Sequence, residues 1–171
     1  MPTVSLILPV FKAEEWIEQC LASVEAQTYK DIQLIVIDDP HGSGAAEARN
    51  RGLAKAAGEF VAFCDADDYL EPDAIEKMVT AMNGADMVLG AFRKFGDFNL
   101  TVQHPAAEFN IRDVAQYTMS NLKNPRDSQL LSGCWAKLYR RSLIGRFPNL
   151  TTAEDMAFNF EYLNKCQRVR I

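Results

Sequence analysis

Two short apolar runs in this chain each end in aspartates, and that pairing constrains the fold more than any other feature. Ile32-Gln33-Leu34-Ile35-Val36-Ile37 leads into Asp38-Asp39, and Phe60-Val61-Ala62-Phe63-Cys64 leads into Asp65-Ala66-Asp67-Asp68. Both runs are strand-sized and nearly continuous in apolar character, the pattern of a strand buried on both faces. A third run, Val4 to Val10, is stopped by Pro9 and suits a strand ending at residue 8 or 10. Helical spacing fills the gaps between them. From Ala13 to Gln27, Ile17, Leu21 and Val24 share a face while Glu14, Glu18 and Glu25 point out. Ala45 to Ala57 is alanine-rich, with Gly58 placed to stop it. Pro72 opens a helix to about Met82, and Asp86 to Ala91 reads as a fourth strand. Strands alternating with helices of this length predict an α/β fold, a parallel sheet wrapped by crossover helices.

The half after residue 95 is less regular. It predicts a helix from Arg112 to Leu122, a strand over Cys134–Tyr139 and a helix from Glu154 to about Cys166. No repeat or linker divides the chain, so residues 1–171 are expected to form one domain with a nucleotide-binding half, 1–95, and a more variable half, 96–171. Basic residues are scattered apart from Lys137, Arg140 and Arg141, and the net charge is −5, which excludes a nucleic-acid partner. The longest apolar runs are too short to cross a bilayer, and the N-terminus lacks the pattern of a signal peptide. Cys20, Cys64, Cys134 and Cys166 lie far apart, the usage expected of buried thiols in a reduced, cytosolic protein.

In open α/β sheets ligands sit beyond the carboxyl ends of the strands, so both acidic clusters should face one crevice. Five carboxylates there (Asp38, Asp39, Asp65, Asp67 and Asp68) would repel one another unless a cation or ligand compensated. Oxygen ligands of this kind suit Mg²⁺ or Mn²⁺, which bind phosphate oxygens as well. One such pair after a strand is commonly only a turn; two pairs on two parallel strands point instead to a divalent metal and a phosphate-containing ligand.

The same residues resemble the family 2 glycosyltransferases, inverting enzymes of the GT-A fold, a Rossmann-like mixed sheet with flanking helices. Val4-Ser5-Leu6-Ile7-Leu8-Pro9-Val10-Phe11-Lys12 is similar to that family's opening strand, and Ser23-Val24-Glu25-Ala26-Gln27-Thr28-Tyr29 to the end of its first helix. Ile37-Asp38-Asp39, Ala48-Arg49-Asn50-Arg51-Gly52-Leu53 and the stretch from Gly58 to Asp68 follow in the family's order, Pro72-Asp73 continuing the last. Trp135 to Arg141, and Arg146-Phe147-Pro148 followed by Glu154-Asp155, complete the series. The resemblance is weak only from Arg93 to Ser132.

The resemblance implies a nucleotide-sugar donor, a UDP-sugar in particular, and a saccharide or lipid-linked acceptor. Asp39, with Asp38 beside it, would meet the uracil base, flanked by backbone near Pro9 and Phe11. Asp65 would lie by the ribose and diphosphate and share the metal with Asp67; Asp68 is a third member of that set. Arg49 would help to place the sugar or diphosphate, and Asp155 would be the general base. Lys137 is expected to be exposed and structural. The implied setting is polysaccharide assembly in the cytoplasm at the inner face of the membrane, with peripheral membrane association. Thr151-Thr152-Ala153-Glu154 also has the spacing of a capping box, which would occupy Glu154 and leave Asp155 free.

Two departures from the family pattern matter. Its members usually carry D-D-G-S-x-D and then another helix and strand before A-R-N-x-G, whereas here Asp39 is followed by Pro40-His41-Gly42-Ser43-Gly44. Either that unit is lost, which would open the uracil pocket, or a mobile loop belongs there that the sequence as written does not carry. The family's members also often continue past the equivalent of Ile171, so a catalytic core is the expectation. Two other readings are a nucleotidyltransferase, which the glycine-free segment after Pro9 disfavours, and a degenerate domain that only binds nucleotide.

Overall fold

The computed structural model describes residues 3–95, 100–102, 106–110, 113, 116 and 130–171. Strand β1 (Val4–Val10) is parallel to β2 (Ile32–Asp38) along its whole length and to β3 (Phe60–Phe63) from Val4 to Ile7. It ends at Val10, the later of the two expected ends, and runs past Pro9 because β3 has already ended beside it. Pro9 pairs only with the β2 side, so its missing N–H leaves no ladder position empty.

Helices α1 (Ile17–Glu25), α2 (Ala45–Leu53) and α3 (Ala74–Ala81) follow the first three strands. Beyond them come β4 (Met87–Leu89), β5 (Phe92–Lys94), β6 (Leu100–Val102), β7 (Glu108–Asn110), β8 (Lys137–Arg140), α4 (Glu154–Leu163) and β9 (Arg168–Arg170). The seven-stranded main sheet runs β2-β1-β3-β8-β4-β9-β7, and β5 and β6 form a separate antiparallel pair. The sheet is therefore mixed rather than all parallel: β8 runs antiparallel between β3 and β4, and β7 antiparallel to β9. Apart from Asp113 and Gln116, both helical, the expected helix over Arg112–Leu122 lies outside the described residues.

The alternation of β1 divides two cores. Val4, Leu6 and Leu8 face α1 and α3 with Cys20, Ile75 and Leu138, while Ile7 faces α2 and α4 with Val61, Phe63, Tyr139 and Phe158. Phe158 stacks on Phe147 at 3.9 Å, and Phe63 meets both rings edge-on. Two local expectations fail. Helix α2 ends at Leu53, well short of Gly58. Gly58 serves a close approach instead: a Cβ there would sit 2.7 Å from the Ser5 backbone nitrogen, and its N–H is bonded to Ser5 Oγ. Pro72 lies two residues before α3, where its carbonyl accepts the Thr28 N–H. Strand β2 forms one edge of the sheet, and Leu34 and Val36 stay exposed there, beside the point where the family pattern carries its extra helix and strand.

Candidate active site

The two carboxylate-bearing strand ends lie side by side, because β2 and β3 flank β1 in the same direction. Between them opens a cavity of about 280 Å³ lined by Pro9, Phe11, Trp16, Asp39, Asp65 and Asp67 among others. The structure thus brings five of the residues expected at the site together. Asp38 is not among them: it faces a second, shallower surface with Val36, Arg51 and Lys55, since neighbouring side chains on a strand point to opposite faces.

Asp39 is held by the short loop that follows it. Ser43 Oγ donates to Oδ1 at 2.7 Å, Arg51 Nη2 to the same oxygen at 2.9 Å, and the Gly44 N–H to Oδ2 at 3.2 Å. The Gly42 N–H closes the turn onto the Asp39 carbonyl, and Gly42 and Gly44 both take positive φ. A Cβ on Gly42 would press on the Phe11 ring at 3.1 Å. Ser43, then Gly44 and Arg51, hold the Asp39 carboxyl below the usual carboxylate range. The connection therefore closes without the family's extra unit.

The β3 end is crowded rather than satisfied. Asp65, Asp67 and Asp68 share one turn, closed by the Asp68 N–H on the Asp65 carbonyl. Partial burial, then the charges of Asp65 and Asp67, push Asp68 up to about 6. Its side chain still keeps an exposed surface. Behind the turn, the buried Cys20 and Cys64 sulfurs lie 3.8 Å apart as free thiols. Among the described residues no three metal-ligating side chains converge. A cation bridging one or two carboxylates to phosphate oxygens does not require three.

Arg49 is not in the cavity wall but beneath it, 4% exposed. Its Nη2 donates to Asp65 Oδ1 at 2.8 Å and its Nη1 to Asp155 Oδ1 at 2.9 Å, while Glu154 Oε1 stands 3.8 Å from Nη1. The Phe147 ring packs under the guanidinium at 5.5 Å. Burial opposes the charge on Arg49, and the facing Asp65 and Asp155 favour it. Losing one partner of so buried a pair typically costs about 3–5 kcal/mol.

Asp155 reaches this point because α4 begins beside β3's end. The expected capping box does not form: the residue before the helix is Ala153, in the left-handed region at φ 61°, and no side chain caps the first turn. Glu154 is drawn instead toward Arg49. Burial raises the Asp155 carboxyl above its ordinary range, Glu154 and Asp65 add to that, and Arg49 opposes it.

Lys137 corrects another expectation, since it is 1% exposed. Its Nζ donates to the Ser132 and Gly133 carbonyls at 3.0 and 2.7 Å, and burial pulls it down to about 8. Asn159, which sequence reasoning missed, donates to the Leu131 and Gly133 carbonyls and accepts the Tyr139 hydroxyl. Its only signal is an amide among aromatic residues on the buried side of α4.

Comparison with known proteins agrees with this arrangement. The profile of Glycosyl transferase family 2 matches residues 5–43 and 40–146, two segments that meet at the shortened loop. The putative glycosyltransferase EpsH of Bacillus subtilis is 31% identical over 197 aligned positions, covering 93% of this chain and 55% of EpsH. That alignment is longer than the chain's 171 residues, so EpsH carries sequence that this chain lacks. Residues 1–349 of Staphylococcus aureus TarS, solved in complex with UDP, superpose with a TM-score of 0.77 at 20% identity, over 98% of this chain and 57% of that one. The mannosyltransferase PcManGT from Pyrobaculum calidifontis, solved with GDP-Man and Mn²⁺, gives 0.68 at 19% identity, over 98% and 54%. The mixed sheet is thus the GT-A fold. The chain spans little more than half the length of the curated relatives it matches.

Proposed function

The chain belongs to glycosyl transferase family 2, and on that premise we propose that it transfers a sugar from a UDP-sugar to a saccharide or lipid-linked acceptor with inversion. The observation that carries this reading is the meeting of Asp39, Asp65 and Asp67 on one cavity, with Asp155 tied to the same point through Arg49. TarS, in complex with UDP, supports the choice of donor, and PcManGT, with GDP-Man and Mn²⁺, supports a divalent cation.

Asp67, with Asp65, would hold Mg²⁺ or Mn²⁺. The cation would supply charge neutralisation for the departing nucleoside diphosphate. Asp39, between Pro9 and Phe11, would receive the base. Asp155 takes the proton of the acceptor hydroxyl as that oxygen bonds to the anomeric carbon. The bond to the diphosphate oxygen breaks on the opposite side, leaving with its electron pair, so one in-line displacement inverts the centre. A carboxylate raised by burial is a better proton acceptor than an ordinary aspartate. The setting we assign is cytoplasmic surface-polysaccharide assembly. We assign peripheral association with the inner face of the membrane; among the described residues no helix is long and apolar enough to cross a membrane.

Calorimetry with UDP, in Mn²⁺ and in EDTA, tests the site; release of UDP from UDP-glucose or UDP-N-acetylglucosamine tests the activity. Metal-independent or absent UDP binding would remove the reading. A second reading, nucleotide binding without catalysis, is favoured by the short loop over residues 40–44, which closes after Asp39 where the family pattern carries a further helix and strand. It predicts metal-dependent UDP binding with no donor turnover.

A further inference from the structure

Arg49 lies on the buried side of α2, where it joins two parts of the chain that share no backbone contact through it. Asp65 follows β3 on the donor side, and Asp155 starts α4 on the other. One guanidinium holds one oxygen of each, at 2.8 and 2.9 Å. Each terminal nitrogen therefore gives an N–H to a carboxylate, and Nε is buried without a partner among the described residues. A donor phosphate in the cavity would not meet this cation, which is 4% exposed and not among the residues lining the cavity. Among the described residues the second oxygen of Asp155, Oδ2, takes no hydrogen bond, so the fork leaves it for another group.

We propose that Arg49 is a positioning residue for Asp155 rather than a donor ligand, a role that rests on Asp155 being the base. Its planar fork sets the spacing between the donor-side carboxylate Asp65 and the base, and orients Asp155 so that Oδ2 meets the acceptor hydroxyl. Phe147 keeps the plane of the fork in place from below. A lysine would carry the charge but could not hold both oxygens with two parallel N–H groups. Glu154, 3.8 Å from the same nitrogen, adds negative charge beside Asp155 without a hydrogen bond.

A double-mutant cycle tests this, using UDP-N-acetylglucosamine turnover in Mn²⁺ followed by UDP release, with UDP affinity from calorimetry and the thermal midpoint measured alongside. Arg49→Lys is expected to lower kcat by roughly 10–100-fold, with UDP affinity within about threefold of wild type. In an Asp155→Asn background the same substitution should lower kcat by less than about twofold, because the group it positions can no longer accept a proton. An equal loss in both backgrounds, or a loss confined to UDP affinity, would overturn the role. Near wild-type turnover in Asp155→Asn alone would overturn the base assignment instead. If Arg49→Lys does not fold, Phe147→Leu keeps both carboxylates and the guanidinium while removing the ring beneath it. It should show a smaller kcat loss, about two- to tenfold, that also disappears in the Asp155→Asn background.

Discussion

The ends of β2 and β3 look alike as sequence, each an apolar strand running into aspartates, yet their electrostatics are opposite. At the β2 end, Asp39 has Ser43, Gly44 and Arg51 as donors, and its carboxyl is held down. At the β3 end, Asp65 is met by Arg49, while Asp67 and Asp68 are left to one another and Asp68 is pushed up to about 6. A carboxylate provided with donors by its own loop is stable without a ligand. Crowded carboxylates repel one another, and a cation would relieve that repulsion. On the proposed function, the first end would serve recognition and the second would bind the cation.

Four measurements would break or sharpen that contrast. The largest effect belongs to neither strand end: Asp155→Asn should cut turnover by roughly 10²–10⁴-fold with UDP affinity nearly unchanged, because it removes the proton acceptor and keeps its shape. Retained turnover on a true acceptor would return the base to one of the strand ends. Next, Asp67→Ala should lower UDP affinity in Mn²⁺ by roughly 10–100-fold and abolish the difference between Mn²⁺ and EDTA, with a thermal midpoint no lower than wild type without metal. An intact metal effect in that variant would erase the contrast. Asp39→Ala should weaken UDP by about tenfold or less in Mn²⁺ and EDTA alike, and relax the preference for UDP over other nucleoside diphosphates. Should base preference survive, Asp39 serves only to close its loop.

The smallest effect concerns stability against pH without added metal. The folded protein holds the Asp68 proton more tightly than the unfolded chain does, so stability should fall as pH rises from about 4 to about 6. Asp68→Asn should then stabilise the protein at pH 7, by no more than about 1 kcal/mol after allowance for its exposed surface, and have no effect well below pH 4. Asp39 has the opposite sign: its depressed carboxyl contributes stability above its ordinary value, lost as pH falls through its folded value. Thermal melts of Asp68→Asn and Asp39→Asn across pH 3–8 would separate the two ends; parallel profiles would refute the contrast.

Much of the first half was legible because its signals are local. Strand β1, the bounds of β2 and β3 to within a residue or so, and the convergence of their ends follow from apolar periodicity and from the rule that connects parallel strands. In the second half short-range rules misled. Thr151 to Glu154 has capping-box spacing, yet Ala153 takes a left-handed conformation and Arg49 attracts Glu154. Lys137 reads as a surface cation but is enclosed by the backbone carbonyls that need it. Strands β7 and β9, three residues each, carry too little pattern to be seen before they pair.

By itself the sequence determined which strands would end in carboxylates, their order, and the family to which the chain belongs, since all of these are written in residues near one another. Only the tertiary structure decided how each carboxylate is compensated. Arg49 meets Asp65 across 16 positions and Asp155 across 106, and the insertion of β8 between β3 and β4 accompanies the arrangement that brings α4 to that point. The energy between charges depends on their separation in space and on the water left between them, and neither quantity is visible in the spacing of residues along a chain.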